Sequence, residues 1–188
     1  MQTERPFSDV RILDLAHRYG RYATRLFADL GAEVIRVEPP GGLPDRRSDA
    51  PGESPSDAFA FLNAGKRSVL IDLETPDGRA AFDRLAASAA MIVLERDGPL
   101  FEDLAAIAAA APAAVVLAIS PFGLGGPVEA APASDLTLQA AGGIAWMSGR
   151  MGEPPLRLPG GQSEMVGSIY AATVAAICLL HAEATGRG

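Results

Sequence analysis

Residues 10–42 read VRILDLAHRYGRYATRLFADLGAEVIRVEPPGG, and the hydrophobic period changes twice along them. "VRILDL" (10–15) is short, apolar and partly β-branched, which predicts a strand. "RYATRLFADLG" then spaces Tyr22, Leu26, Phe27 and Leu30 along one helical face, with Gly31 as the stop. "AEVIRVE" (32–38) predicts a second strand, ended by "PPGG". A strand, a helix and a strand in succession are a parallel crossover unit, because parallel neighbours need a long connection and a helix supplies it.

The alternation continues outward from that unit. "SVLIDL" (68–73), "AMIVLE" (90–95) and "AAVVLAIS" (113–120) predict three further strands. "TPDGRAAFDRLAASA" predicts a helix with Thr75 as its N-cap and Pro76 at the first helical position. "LFEDLAAIAAAA" predicts another. Residues 39–57 are polar and rich in Pro, Gly, Ser and Asp, which makes them a long loop, and "PFGLGGPVEAAPA" makes a second. "SDLTLQAAGGIAWMSG" predicts a helix capped by Ser134 or Asp135 and loosened at Gly142 and Gly143. A final helix follows, with Gln162 or Ser163 at its N-cap and an apolar run, 165–180, read as buried.

The expected fold is α/β: a Rossmann-like open, mostly parallel sheet with helices on both faces. A single unit spans 1–188, with an α/β core over about 8–125 and a helical closing segment over 134–184. In such sheets ligands bind beyond the carboxyl ends of the strands.

Composition narrows the function. The chain has 188 residues, 48% of them apolar, enough for a real core. A net charge of −7 argues against nucleic acid, which needs a basic face. The lone Cys178 forms no intrachain disulfide and fits a reducing cytoplasm. His17 and His181 are the only histidines, so no metal site is expected. The N-terminus lacks a signal-peptide pattern, and the run 165–180 is shorter than a membrane span needs.

The first strand–helix turn holds only Gly20, where a dinucleotide-binding turn would show three spaced glycines. Glu38 would suit a ribose hydroxyl in that reading, but the glycines are missing. Arg18, Arg21 and Arg36 are candidate phosphate contacts. Glu164 is the sharpest single residue. It stands in the first turn of the closing helix, where unpaired N–H groups and the helix dipole favour a negative charge. A carboxylate there can attack an acyl thioester, giving a mixed anhydride and then an enzyme-bound thioester. The helix-end N–H groups could hold the developing oxyanion.

"LFADLGAEVIRVEPPGG", "FLNAGKRSVLIDLETPDGR" (61–79), "AISPFGLGGP…ASDLTLQAAGGIAWMSG" and "GSIYAATVAAICLLHAEATGRG" occur in order, and with them the chain resembles the family III CoA-transferases. That group includes formyl-CoA transferase, the CaiB/BaiF-type enzymes and the alpha-methylacyl-CoA racemases. The resemblance covers about 8–188 and implies transfer of CoA between carboxylic acids, with an acyl-CoA and a carboxylic acid as substrates. It implies no covalently bound cofactor and an interlocked homodimer. It puts the catalytic carboxylate at Glu164, where the family has an aspartate, and the CoA-binding positions at Arg36, His17 and Arg96. Arg21 stands where the family has proline, and "LERDGP" keeps only Arg96 of a CoA-contacting pattern. Ser134 replaces the racemases' histidine base, which argues against racemisation. Family members are about twice as long, so a homo-oligomer or a complementary C-terminal-half subunit is expected as partner. The alternatives are a catalytically weak or inactive acyl-CoA-binding half or partner subunit of a split or heteromeric CoA-transferase, and a generic Rossmann-like dinucleotide enzyme.

Overall fold

The computed structural model describes residues 5–46 and 56–188. Five parallel strands form one sheet: β1 (Arg11–Asp14), β2 (Glu33–Glu38), β3 (Arg67–Leu70), β4 (Met91–Glu95) and β5 (Val115–Ile119). Their order is β3-β2-β1-β4-β5, so the chain reverses its direction of travel across the sheet between β1 and β4. The helices are α1 (Arg21–Asp29), α2 (Asp57–Leu62), α3 (Pro76–Ala86), α4 (Leu104–Ala110), α5 (Asp135–Ala141), α6 (Ile144–Met147) and α7 (Gln162–Thr185).

Side chains alternate across a strand, so each central strand feeds two cores. Ile12, Val34, Met91, Val93 and Val115 face α1 and α7, meeting Phe27, Ala172, Ala175 and Leu179. Leu13, Val37, Ile92 and Leu94 face the other way, meeting Phe82 and Ala86 of α3 and Ile107 of α4. This is the two-faced parallel sheet expected from the alternating pattern.

Several local expectations change. β3 stops at Leu70, because its partner β2 ends opposite at Glu38 and Leu70 lies 64% exposed on the sheet edge. The helix expected over 134–149 divides into α5 and α6 at Gly142–Gly143, where Gly143 takes φ +80. The polar stretch 39–57 carries a 3-10 turn at Pro44–Arg46, and α2 begins within it, capped by the Ser56 hydroxyl accepting from Phe59 N–H. Residues 47–55 of that loop lie outside the described residues.

α7 departs most from its reading as a buried helix. It runs 24 residues and is long and apolar enough, by length and composition alone, to cross a membrane. Ser168, Ala172, Ala175 and Leu179 recur on one face and are buried. Small side chains there let α7 lie close against α1 and β5. The opposite face leaves Ile169, Tyr170, Val174, Ile177 and Leu180 half or more exposed. Its N-cap is Gly161 at φ +68, not Gln162 or Ser163.

Candidate functional site

The carboxyl ends of β1, β2 and β4 gather the buried charged residues. Asp14, Arg36, Glu38 and Glu95 are each 0–1% exposed, and each stands at or near the last position of its strand. Uncompensated charges would not survive such burial, so each is paired.

Glu95 closes the first turn. Its Oε2 accepts from the backbone N–H of Tyr19 (2.8 Å) and Gly20 (3.1 Å), at the entrance to α1. In a dinucleotide site this helix start would receive phosphate. Here the protein's own carboxylate fills it. Gly20 is required by space: a Cβ there would lie 2.8 Å from Ala16 Cβ and 2.9 Å from Ile119 Cδ1. Glu38 is equally committed, accepting from Arg36 Nε (3.1 Å), Arg46 Nη2 (2.7 Å), Ser68 Oγ (3.0 Å) and Leu43 N (3.3 Å). Burial pushes its carboxyl up, yet Arg46, Arg36 and the other donors outweigh that and hold it low. It has no remaining call to bind ribose.

His17 lies beside Glu95, with Nδ1 3.0 Å from Oε1. Both atoms are buried and neither has another partner among the described residues, so a proton must sit between them. The Glu95 hydrogen bond raises the His17 pKa above its usual value, against the lowering effect of burial. A raised histidine stabilises the fold fully below about pH 6.5, and that contribution fades as pH rises through the folded value. In Glu95→Gln the raising partner is gone while burial remains. The His17 midpoint, followed by NMR, is then expected to fall below its wild-type value. An unmoved midpoint would show that Glu95 does not hold the proton.

Arg36, expected at the CoA nucleotide, is turned inward. Beyond Glu38, it donates to Ala16 O (3.0 Å), Asn63 Oδ1 (2.8 Å) and Asp45 Oδ1 (2.6 Å). Arg96 is partly open: Nη1 donates to Glu129 Oε1 at 2.7 Å, and the guanidinium lies over the Phe101 ring. It borders a recess shared with Arg18, Tyr19 and Asp97. Asp97 and Leu100 in that turn both take the left-handed conformation (φ 65 and 63).

Glu164 is not held by its own helix. Ser163 N–H donates to Asp135 Oδ1 (3.0 Å), and Met165 N–H points to Gly161 O (3.4 Å). Instead Arg21 grips the carboxylate with both ends of its fork: Nε to Oε1 at 3.0 Å and Nη2 to Oε2 at 2.7 Å. The two side chains are 15% and 14% exposed. Burial pushes the Glu164 carboxyl up, and Arg21 opposes it without cancelling it. An elevated carboxyl is a stronger nucleophile once ionised.

Three residues that sequence reasoning passed over complete the arrangement. Lys66, nearly buried, donates to Asp14 Oδ2, Asn63 Oδ1 and the Arg21 carbonyl, each at 2.9 Å. Asp14 also accepts from Thr24 Oγ1 (2.8 Å). Asp45 joins Arg36 to Arg21, whose Nη1 is 3.5 Å away. The available signal was the single lysine of the chain, placed in a quoted motif, "NAGK". Ser134 uses its hydroxyl in a capping box with Thr137 at the start of α5. A cavity of about 260 Å³ adjoins the first turn of α7, lined by Tyr19, Ile119, Pro121, Leu138, Ser163 and Gly167. The Tyr19 hydroxyl is buried and has no partner among the described residues. No cluster of metal-ligating side chains occurs among them.

Residues 7–188 match the family model described as CoA-transferase family III. The chain is 38% identical to succinyl-CoA:(R)-benzylsuccinate CoA-transferase subunit BbsE of Thauera aromatica, over 97% of this chain and 47% of that protein. It is 34% identical to acetyl-CoA:oxalate CoA-transferase of Acetobacter aceti, over 97% and 49%. Among solved structures, a CAIB/BAIF family protein from Brucella suis superposes with a TM-score of 0.89 at 28% identity, covering 99% of this chain and 52% of that one. The chain thus spans about half the length of the curated relatives it matches.

Proposed function

The chain belongs to CoA-transferase family III, and on that premise we propose that Glu164 is the carrier in a transfer of CoA between carboxylic acids. The observation that supports this most is a single one. A largely buried carboxylate of raised pKa stands at the carboxyl edge of the sheet, gripped by one arginine. In the first step a Glu164 oxygen attacks the thioester carbonyl carbon of an acyl-CoA. The C–S bond breaks, CoA leaves as thiolate, and a mixed anhydride remains. The thiolate then attacks Cδ of Glu164. The anhydride C–O bond on the glutamyl side breaks, and the donor acid leaves as carboxylate. CoA stays on Glu164 as a thioester, and an acceptor carboxylate runs the same steps in reverse. In this reading Arg96 and His17 lie along the bound CoA, and Arg36 acts from behind by fixing Asp45.

The relative in Thauera aromatica is named for succinyl-CoA, so succinyl-CoA is the first donor to try. The carrier mechanism requires that labelled succinate exchange into succinyl-CoA with no second acid present. Exchange that depends on Glu164 supports the reading. Its absence with succinyl-CoA and with acetyl-CoA plus labelled acetate would contradict it.

A second reading has its own support. The exposed apolar face of α7, together with a length about half that of the relatives, suits an acyl-CoA-binding half completed by another polypeptide segment. Exchange that appears only after a complementary segment is added would favour that form.

A further inference from the structure

We propose that Arg21 is a catalytic residue of the same site: its guanidinium binds the oxyanion that forms on the Glu164 carboxyl carbon when CoA adds to it. This rests on Glu164 being the carrier. The fork is already in place, with Nε 3.0 Å from Oε1 and Nη2 2.7 Å from Oε2. When one Glu164 oxygen becomes the bridging atom of the anhydride, it loses its charge and its value as an acceptor. The other becomes the carbonyl oxygen and keeps its N–H. As the thiolate adds to Cδ, the carbonyl π pair moves onto that oxygen, and the N–H already pointing at it strengthens. Donors about 2.7–3.1 Å from the oxyanion position are the geometry that such stabilisation needs. When the oxyanion collapses, the pair returns to the carbon and the carboxylate of the donor acid is expelled.

Two N–H groups at the start of α7 are engaged elsewhere. The Ser163 N–H is bound to Asp135, and the Met165 N–H to Gly161 O. Arg21 itself is fixed from two sides. Asp45 lies 3.5 Å from Nη1 and is bonded in turn by Arg36 at 2.6 Å. Lys66 donates to the Arg21 carbonyl at 2.9 Å and anchors the first turn of α1. The charges alternate from Arg36 through Asp45 and Arg21 to Glu164, so the guanidinium is oriented before any substrate arrives.

The test uses the chain with succinyl-CoA and follows Glu164–CoA thioester formation by quenched-flow mass spectrometry across pH. Arg21→Met is expected to slow it about 100-fold, the loss typical of one oxyanion donor. Because Arg21 no longer opposes the burial of Glu164, the acid limb of the pH profile moves to higher pH. Arg21→Lys keeps the charge without the fork and is expected to fall between the two, with a smaller shift. Circular dichroism checks that each variant folds, and Arg21→Lys decides if Arg21→Met does not. Wild-type rate and an unmoved acid limb in the folded variant would overturn the role of Arg21 while leaving Glu164 as carrier. A wild-type chain that never gains CoA on Glu164 would overturn both.

Discussion

Replacing Arg36 with methionine is expected to destabilise the chain by about 3–5 kcal/mol, the cost of removing one partner from a buried ion pair. For a chain of this size that is a fall in the thermal midpoint of roughly 6–20 °C. The effect is large because Arg36 is 1% exposed and serves four acceptors at once. Without it Asp45 loses its 2.6 Å partner and keeps the longer contact to Arg21, and the Ala16 carbonyl and Asn63 lose a donor. A surface pair provides the contrast. Arg67 bonds Glu33 at 2.7 Å but is 76% exposed, so Arg67→Met is expected to cost less than about 1 kcal/mol. Thermal unfolding of the two variants side by side separates them. Equal, small losses would mean that the buried network does not hold the sheet edge together.

The second large effect is on activity. Glu164→Gln keeps the shape of the side chain and an oxygen for Arg21, but it removes the nucleophile. Succinate exchange is expected to fall by about 10⁴-fold or more, the scale seen when a covalent carrier is deleted. Glu164→Asp should be milder and still severe. Shortening the side chain draws the carboxylate away from Arg21 by more than an ångström, and misplacement of about 1 Å can cost about 10²-fold. The glutamate and Arg21 therefore belong together. The structure pairs them directly. An aspartate variant as fast as wild type would break that link.

The fold was largely legible in the sequence because its signals are local. β-branched runs, a helical stripe ending at Gly31, and Thr75 ahead of Pro76 are each contained in a few residues, and the structure has the Thr75 cap in place. What was not legible depends on contacts between distant residues. Lys66 looks like an ordinary surface cation until β3 carries it beside Asp14, which lies 52 residues earlier. Glu95 looks like the end of a strand until the β1–β4 pairing sets it under the Tyr19 and Gly20 N–H groups. Arg36 sat at a recognisable basic position, but sequence carries no sign of whether a guanidinium turns outward to ligand or inward to Asp45. Glu164 was visible as an acid in a first turn. Its actual partner, 143 residues away, was not. Nor was it visible that Asp135, 28 residues earlier, takes the Ser163 N–H.

The central claim is that Glu164 carries CoA, and one measurement addresses it directly. The chain is incubated with succinyl-CoA, digested, and the peptide containing Glu164 is sequenced by mass spectrometry. The expected result is the mass of CoA joined as a thioester at Glu164, converted to a hydroxamate by hydroxylamine and absent in Glu164→Gln. CoA that binds without any covalent mark on Glu164, or a mark on another residue that survives in Glu164→Gln, would contradict it.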